Sequence, residues 1–584
     1  MKISDYLVNV LKENGVKTVF GVQGSGTVIQ IFDSLGHTDG IDYVCTLHEQ
    51  AAGMAADAYS QVTGGFGACV ATCGPGATNL YTSIAGSYYN SNPVIYIIGQ
   101  PQLSMMKGDT RVRHYGAQEI DDLNIFAPVT KYVAIIHNKE NARYEIEKAL
   151  YVAKSGRPGP VIIAIPDDVT WLDIMPDNLK KYTPNIPEIE VDKEIFDEIL
   201  KRLTAAKRPV FLFGKGVKCA NAEEYAKTLI EKYNVPYALT WGARDLLPSA
   251  SELFVGSVGI QGSRSGNLAI QNADLIISVG ARLDASETGG NATFAREAYI
   301  YSVDIDFDEI DKYKTFGIPV DKPIQMDAKT FLKGLLGISY ADMDFGCWVE
   351  KIAHWKNKYS ITPSLKDIGE EIDPYYFVSK LSDMLKSGDI ITTDASSPKS
   401  YIYQAFGVKE NQKLVSWLNF ASLGYGLPSG LGACFAHNDR VITVTGDGGM
   451  QFNIQELATI RFYNLNMKII VLDNGGFGNI YHVQNNFLDG RHHGVNREYG
   501  LPIPNIEHIC NAYKIPVSTA CKNSEIEAAL KACFDVDGPS VCIINLSMDK
   551  WITPKKAGKD PLEDMTPKLD RNEFYSEMII KPIS

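Results

Sequence analysis

Two oxygen-bearing side chains, Asp447 and Asn474, each follow an apolar run within the segment VITVTGDGGMQFNIQELATIRFYNLNMKIIVLDN. The runs VITVT and KIIVL are typical of strands buried on both faces, and the apolar residues between them have helical spacing. Because such strands end at the same edge of a parallel sheet, we expect the two side chains to lie side by side. Hard oxygen ligands suit Mg²⁺, which takes few protein ligands and leaves positions for phosphates.

Glycines surround Asp447 in the same segment. Gly446, Gly448 and Gly449 are predicted to let the main chain turn sharply where the strand ends. The alternative is an ordinary tight turn followed by a helix cap, since short glycine motifs often occur by chance. The combination is more specific: GDG, an interval from Gly449 to Leu472, and a pair ending in Asn resemble the thiamine diphosphate motif.

Glu49 is a second candidate, at the start of a helix that follows the apolar run YVCTL. Ala52, Gly53 and Ala56 share one face of that helix and suit close packing against another helix. An acidic residue in a first helical turn is favoured by the helix dipole alone, so Glu49 by itself has this simpler interpretation too.

The composition is that of an ordinary globular protein of several domains. The 584 residues carry a net charge of −13, so the chain offers no basic surface for nucleic acid or an anionic membrane. The amino-terminal segment has the pattern of an amphipathic helix and not of an export signal, and no apolar run has transmembrane length. The ten cysteines are scattered, which favours free thiols in a reducing compartment. We therefore expect a cytoplasmic protein.

Apolar strand-like runs alternate with helical segments along most of the chain. This alternation predicts an α/β fold with parallel sheets covered on both faces. We assign a first domain to 1–170, a central domain to 191–340, a third domain to 373–550 and a tail to 551–584. The stretches 171–190 and 341–372 are rich in Pro or charge and are predicted to be linkers.

Five motifs occur in the order found in acetolactate synthase and its relatives: HEQAAGMAADAY, GPGATN, SGRPGPVIIAIPDDV, GYGLPSGLGA and the GDG-to-DN segment. The chain therefore resembles that family of thiamine diphosphate enzymes over nearly its whole length. The resemblance implies three doubly wound domains: a pyrimidine-binding domain, a central domain and a pyrophosphate-binding domain. It also implies a homodimer or homotetramer with active sites between subunits.

The resemblance implies roles for particular residues. Glu49 matches the glutamate that hydrogen-bonds the pyrimidine ring and promotes deprotonation of the thiazolium C2. Gln118 matches a glutamine near the reacting centre that can stabilise alkoxide charge, although a plain core glutamine is the alternative. Leu423 matches the apolar residue that bends the cofactor into a V shape; it also fits a core position. The expected metal ligands are Asp447, Asn474 and Gly476.

The central domain of acetolactate synthases binds FAD without using it for redox chemistry. The residues that match its contacts here are Gly214, Gly216, Gly280, Arg282, Asp304 and Asp327. Many relatives keep this domain without a flavin, so FAD is expected here but not required.

Three positions depart from the family pattern. Ala117 stands where acetolactate synthases have phenylalanine, Ser286 where they have the arginine that binds the acceptor carboxylate, and Val483 where they have tryptophan. The lost cation removes a charge-assisted bond worth roughly 1.5–3 kcal/mol. We therefore expect pyruvate as donor and a larger, uncharged carbonyl acceptor, most consistent with relatives that transfer an acetyl unit to a nucleotide-linked keto-deoxysugar for surface polysaccharide.

Three alternatives remain at this point. The protein is a genuine acetolactate synthase, another 2-oxo acid decarboxylase, or a cofactor-binding scaffold without catalysis. The intact Glu49, Asp447 and Asn474 argue against the scaffold.

Overall fold

Three parallel α/β units and a carboxyl-terminal tail make up the protein. The computed structural model describes residues 1–185, 193–290, 292–338 and 343–583. Each unit contains a six-stranded sheet in which every observed strand pair is parallel. The predicted fold class is confirmed. The predicted domain limits at 191 and 340, and the end of the predicted linker 171–190, fall outside the described residues.

The first unit has the sheet order β2-β1-β3-β4-β6-β5. Its strands are β1 (Thr18–Gly21), β2 (Asp42–Cys45), β3 (Gly67–Ala71), β4 (Val94–Gln100), β5 (Tyr132–Ile135) and β6 (Val161–Pro166). Its helices are α1 (Ile3–Glu13), α2 (Thr27–Gly36), α3 (Glu49–Thr63), α4 (Pro75–Asn79), α5 (Tyr81–Tyr89), α6 (Asp122–Phe126), α7 (Ala142–Lys154) and α8 (Asp167–Thr170). The central strands β3, β4 and β6 are buried throughout, as continuous apolar runs predict.

The central unit has the order β12-β11-β10-β7-β8-β9. Its strands are β7 (Pro209–Phe213), β8 (Tyr237–Leu239), β9 (Phe254–Ser257), β10 (Leu275–Val279), β11 (Tyr299–Asp304) and β12 (Lys322–Gln325). Its helices are α9 (Glu194–Ala205), α10 (Lys215–Cys219), α11 (Glu223–Tyr233), α12 (Arg264–Asn272), α13 (Ala285–Thr288), α14 (Phe307–Phe316), α15 (Ala328–Leu336) and α16 (Gly346–Lys358).

The third unit has the order β14-β13-β15-β16-β18-β17. Its strands are β13 (Ile390–Thr393), β14 (Lys413–Val415), β15 (Val441–Gly446), β16 (Met467–Asp473), β17 (Val517–Ala520) and β18 (Ser540–Asn545). Its helices are α17 (Pro374–Met384), α18 (Ser397–Ala405), α19 (Gly426–Ala436), α20 (Asp447–Met450), α21 (Glu456–Phe462), α22 (Gly478–Phe487), α23 (Ile506–Ala512) and α24 (Ile526–Phe534); α25 (Arg571–Glu577) lies in the tail.

Helix α16 corrects the prediction that 341–372 is only a connecting stretch. Trp348, Ile352 and Trp355 are buried and complete the apolar core of the central unit. The three side chains recur at helical spacing, which the high charge of the surrounding sequence obscured. The tail also packs on this unit: Leu562 joins the same core.

Helices α3 and α19 hold the first and third units together. A Cβ on Gly432 would lie 2.0 Å from the main-chain oxygen of Ala55, so the two helix backbones are in direct contact. On another side of α3, a Cβ on Gly53 would lie 2.6 Å from the Cβ of Ser83 in α5. Small residues on α3 therefore allow the close packing that their spacing predicted. Among the described residues, no helix is both long enough and apolar enough to cross a membrane.

Candidate active site

Glu49 is the first residue of α3, where its carboxylate lies at the positive end of the helix dipole. The preceding His48 caps the helix by accepting a hydrogen bond from the Gln50 N–H at 3.1 Å. Asn79, in the last turn of α4, donates from Nδ2 to Glu49 Oε2 at 2.9 Å. A Cβ on Gly76 would lie 3.3 Å from Glu49 Oε1. The half-buried carboxylate is therefore held in one orientation by the short helix α4.

Gln118 lies against the same Gly-Pro-Gly turn as Glu49. Gly74 has a φ of +62°, and a Cβ there would lie 2.5 Å from the main-chain oxygen of Gln118. Gln118 itself has a φ of +60°, and its side chain is exposed. The next residue, Glu119, is buried and accepts the N–H groups of Tyr115 at 3.1 Å and Gly116 at 3.3 Å. The loop thus presents the Gln118 amide beside the turn that contacts Glu49.

Asp447 lies where β15 ends. Strands β15 and β16 pair in parallel with Gly446 opposite Leu472, which brings Asp447 and Asp473 to the same sheet edge. Asp447 is only 2% exposed, and its Oδ2 has no hydrogen-bond partner among the described residues. Burial and the adjacent Asp473 carboxylate raise the pKa of Asp447 above its ordinary range. A buried carboxylate oxygen without a partner is costly unless a cation binds it.

Asn474 and Gly476 lie in the turn after β16. The Gly476 N–H donates to Asn474 Oδ1 at 3.3 Å, and a Cβ on Gly476 would lie 1.9 Å from the Val495 oxygen. With Asp447 these residues offer a carboxylate, an amide oxygen and a main-chain carbonyl, a donor set that suits Mg²⁺. The part of the chain that the structure describes holds no group of three or more His, Cys, Asp and Glu side chains fit for a metal. A Mg²⁺ here would therefore also need phosphate or water ligands.

The glycines near Asp447 differ from the prediction of a sharp turn. Helix α20 begins directly after β15, and none of Gly446, Gly448 and Gly449 has a positive φ. Close approach requires glycine instead: a Cβ on Gly448 would lie 2.5 Å from the Phe477 ring, and one on Gly449 would lie 2.9 Å from Asp394 Oδ2. The missing side chains let other elements approach Asp447 closely.

Leu423 is half-buried and belongs to none of the apolar cores of the described residues. The following Gly424 has a φ of +86° and donates its N–H to Asp394 Oδ1 at 3.0 Å. Asn453 Nδ2 donates to the Gly424 oxygen at 2.9 Å. The main chain beside Leu423 is thus fixed from two sides.

A cavity of about 460 Å³ lies where residues of all three units meet. Five of the predicted central-domain contacts line it: Gly216, Gly280, Arg282, Asp304 and Asp327. Gly214 supports the wall, because a Cβ there would lie 2.2 Å from the Gly280 oxygen. At the other end the lining includes Ser396 and Asn479, so the cavity joins the carboxyl edges of two sheets.

Charged groups of both signs surround this cavity. Burial lowers the pKa of Lys399 to about 8, and burial together with Asp284 raises the pKa of Glu287 to about 8. Arg282 donates to Asp284 Oδ2 at 3.1 Å. Lys215, which is half-buried, donates to first-unit oxygens and also lines the cavity. A ligand with phosphate groups would find several donors here.

Comparisons with family models and with known relatives agree on the family of this chain. Residues 1–125 match the thiamine pyrophosphate enzyme N-terminal TPP-binding domain, 196–335 the central domain and 394–544 the C-terminal TPP-binding domain. The chain is 31% identical to the acetolactate synthase large subunit of Lactococcus lactis, over 84% of this chain and 83% of that protein. It belongs to the acetolactate synthase large-subunit family of thiamine pyrophosphate enzymes.

Two other members also match over most of their length. Identity is 33% with the probable acetolactate synthase large subunit of Methanocaldococcus jannaschii, over 91% of this chain and 89% of that protein. It is 28% with acetolactate synthase 2, chloroplastic, of tobacco, over 98% of this chain and 86% of that protein. The protein is therefore a thiamine pyrophosphate-dependent enzyme, in which the pyrophosphate is the same group as the diphosphate named above.

The three positions that depart from the family pattern lie on three different units. Ala117 is exposed on the loop beside Gln118, Ser286 lines the cavity, and Val483 is 47% exposed on α22. The Ser286 N–H donates to Asp284 Oδ1 at 2.8 Å, so it is fixed as the first turn of α13. No contact joins the three within the described part of this single chain.

Sequence reasoning assigned no role to two acidic residues of the site. Asp394 is fully buried at the end of β13 and accepts from Thr445 Oγ1 at 2.9 Å and from the Gly424 N–H. Asp473 stands one residue before the predicted ligand Asn474 and repels Asp447. Position at the carboxyl end of a parallel strand was the signal that could have found both.

Proposed function

We propose that the enzyme decarboxylates pyruvate and transfers the remaining two-carbon unit to a carbonyl acceptor. The observation that carries this proposal is the buried Oδ2 of Asp447, which has no hydrogen-bond partner among the described residues. With Asn474 it would form a cradle for Mg²⁺ and the cofactor diphosphate. Relatives named acetolactate synthase support a carboligase, and support an enzyme over a scaffold.

Thiamine diphosphate, when bound, supplies the nucleophilic carbon of the reaction. Glu49 donates or accepts the proton shared with the pyrimidine ring, and Asn79 fixes the rotamer in which it does so. Gln118 places its amide where negative charge develops on the carbonyl oxygen. Leu423 would pack against the bound cofactor. Asp447, Asn474 and the Gly476 carbonyl would hold a metal ion for the diphosphate.

The acceptor is the open part of the proposal, and two candidates have support. The names of the relatives favour a second 2-oxo acid, as in acetolactate synthesis. The small or uncharged Ala117, Ser286 and Val483 favour a bulkier, uncharged ketone, such as a nucleotide-linked keto-deoxysugar of branched-sugar biosynthesis. We prefer the ketone, because loss of a carboxylate-binding cation costs roughly one to two orders of magnitude in affinity for an acid acceptor.

Three further features are proposed from the resemblance. FAD would bind in the cavity, where Gly216 and Gly280 leave room for close approach and Arg282 offers a cation. A homodimer or homotetramer would bring the Glu49 loop of one subunit to the Asp447 edge of another. A cytoplasmic location is consistent with a pyruvate-using enzyme. Fluorescence of flavin released by heating tests for bound FAD. Light scattering on a size-exclusion column tests the oligomeric state.

Product analysis is the decisive experiment. Mass spectrometry of reactions with pyruvate alone and with a panel of 2-oxo acids, simple ketones and nucleotide keto-sugars identifies the acceptor. We expect two-carbon adducts of a bulky ketone and slow acetolactate formation. Rapid acetolactate formation from pyruvate alone would instead establish the acetolactate synthase alternative.

A further inference from the structure

Residues 107–115 form a basic loop between β4 and α6 of the first unit. Positive side chains outnumber acidic ones in this loop, although the whole chain has a net charge of −13. The side chains that can carry positive charge are Lys107, Arg111, Arg113 and His114, and the one acid is Asp109. A positive region on a negative protein attracts anionic ligands from solution.

Both ends of the basic loop are fastened to the buried carboxylate of Glu119. Its Oε1 accepts the N–H of Lys107, and its Oε2 accepts the N–H groups of Tyr115 at 3.1 Å and Gly116 at 3.3 Å. A Cβ on Gly116 would lie 2.3 Å from the main-chain oxygen of Met105, so the entering and leaving segments are in contact. The basic loop is therefore a closed Ω-type loop with a fixed base.

The two arginines of the basic loop have no partner within the described part of this chain. Arg111, Arg113 and His114 are exposed, and no hydrogen bond or ion pair to a described residue holds their side chains. Lys107 differs, because its ammonium group lies 4.0 Å from Asp121 Oδ2. Every other arginine of the described ranges donates to a side chain or a main-chain oxygen. Arg111 and Arg113 are thus exceptional, and free to bind a ligand.

The base of the basic loop continues directly into the proposed acceptor site. Gln118 follows Tyr115 by three residues, and Ala117 between them is one of the departures attributed to a bulky acceptor. Arg113 precedes Gln118 by five residues, so their Cα atoms lie within about 18 Å of each other. An arginine side chain can therefore reach the far end of an acceptor whose carbonyl lies at Gln118. Both residues belong to the first unit of one subunit, so this relationship does not depend on how subunits assemble.

The side chains of the basic loop suit a nucleoside diphosphate. Arginine binds phosphate oxygens through two parallel N–H donors, and the loop offers two arginines with one residue between them. Tyr115 is 69% exposed and Val112 is 50% exposed, so an aromatic ring and an apolar side chain lie near the cations. Aromatic rings stack with nucleotide bases of any type. A 2-oxo acid or a simple ketone has neither phosphate nor base and would leave these groups unused.

We propose that the basic loop binds the diphosphate of a nucleotide-linked acceptor, with Arg111 and Arg113 as the phosphate-binding residues and Tyr115 as a stacking surface for the nucleoside. This role rests on the proposed function and deepens it, since it specifies that the bulky ketone is a nucleoside diphosphate sugar. The carbonyl end of the acceptor then lies at Gln118. Because the same exposed cations could contact another subunit, ligand binding has to be measured separately from assembly.

The binding experiment uses the full-length enzyme loaded with thiamine diphosphate, Mg²⁺ and FAD and then freed of excess cofactor on a desalting column. Loading fills the sites where a diphosphate probe would otherwise bind in place of a cofactor. The probes are UDP, CDP, GDP, ADP and dTDP. Isothermal titration calorimetry measures their affinity, and amide hydrogen exchange measures the protection of residues 107–115.

Arg111→Gln and Arg113→Gln each remove one cation and keep a polar side chain. Lys12→Gln is the control: Lys12 is an exposed cation at the end of α1, on the opposite edge of the same parallel sheet. We expect at least one probe to bind the wild type and Lys12→Gln equally and to slow amide exchange in the basic loop. Each arginine variant should bind that probe about 10-fold more weakly, and the double variant about 100-fold. Added salt should weaken binding to the wild type, because the contacts are exposed.

Several results would overturn the role of the basic loop. They are no binding of any probe to the loaded wild type, an equal loss in Lys12→Gln, and protection that leaves residues 107–115 unchanged. A smaller assembly on a size-exclusion column, with wild-type probe affinity in Arg111→Gln and Arg113→Gln, would show that the loop contacts another subunit instead.

Failure of the proposed function is measured separately, by product analysis. Rapid acetolactate formation from pyruvate alone would contradict the ketone acceptor, whereas probe binding to the basic loop is measured without turnover. Probe binding combined with rapid acetolactate formation would leave a nucleotide site on the loop but would refute its role in holding the acceptor.

Discussion

Asn79 donates a 2.9 Å hydrogen bond to Glu49, although thirty positions separate the two residues in the chain. The bond joins the last turn of α4 to the first turn of α3, and it leaves Glu49 Oε1 beside Gly76. A carboxylate held in this way can meet a ring nitrogen without first losing rotamer freedom. The pair is therefore the natural place to begin testing the proposed chemistry.

Glu49→Gln is expected to slow deuterium exchange at the cofactor C2 and pyruvate decarboxylation by about 10²–10⁴-fold, the usual contribution of a positioned acid–base group. Cofactor binding should remain, because glutamine keeps the size of the side chain. Asn79→Ala keeps the carboxylate and removes its orienting bond, so a smaller loss of about 10- to 100-fold is expected. Decarboxylation by Glu49→Gln at the wild-type rate would refute the assignment.

Asp447→Asn should abolish metal-dependent binding of thiamine diphosphate. The variant replaces the buried carboxylate by a neutral amide, so Mg²⁺ loses its charged ligand. The loss of affinity should exceed the roughly 10–100-fold that removal of an outer-shell partner costs at a metal site. Calorimetric titration with Mg²⁺ and cofactor measures it. Asp439→Asn, at an exposed carboxylate of the same unit, should bind like the wild type.

Ser286→Arg should shift acceptor preference toward 2-oxo acids if this position faces the acceptor. A restored cation offers a charge-assisted hydrogen bond worth about 1.5–3 kcal/mol, or roughly 10- to 100-fold in relative kcat/KM. Ser286→Met adds comparable bulk without charge and should hinder both acceptor classes alike. Competition assays with an acid and a ketone acceptor measure the ratio of their kcat/KM values directly. An unchanged ratio in Ser286→Arg would show that Ser286 does not belong to the acceptor pocket.

Glu577 should make docking of the tail sensitive to acid. Burial alone would raise its pKa, but hydrogen bonds outweigh burial and hold the pKa well below the usual range. The donors are Lys351, Lys358, His354 and Trp355. The resulting stabilisation is complete above the unfolded-state pKa, near 4.3, and is lost as pH falls from there toward the lower folded-state value.

Glu577→Gln tests this at pH 7, where we expect a loss of about 1.5–3 kcal/mol of unfolding free energy. The difference from wild type should shrink below about pH 4, when the wild-type carboxylate also begins to protonate. Thermal melts across this range measure the difference. Glu231→Gln, an exposed site on α11, should melt like the wild type throughout. A difference that stays constant with pH would show that the charge of Glu577 is not what holds the tail.

Long buried strands were predictable because continuous apolar runs reveal them, as VITVT and KIIVL did for β15 and β16. Short strands such as β5 and β8 were missed, since three or four residues carry too little periodicity. Helix α16 was hidden by surface charge around its buried tryptophans. The glycines near Asp447 were correctly singled out but for the wrong reason, because a sequence does not show which distant atoms approach a missing Cβ.

By itself the sequence determined the fold class and the thiamine chemistry, because strand periodicity and ordered motifs are local properties of the chain. It also marked Ala117, Ser286 and Val483 as departures whose roles stay predictions. Only the tertiary structure decided which groups meet. The Asp447 oxygen that has no partner among the described residues depends on packing within the third unit, and the cavity depends on packing between units. Contacts between residues hundreds of positions apart leave no pattern in a single sequence.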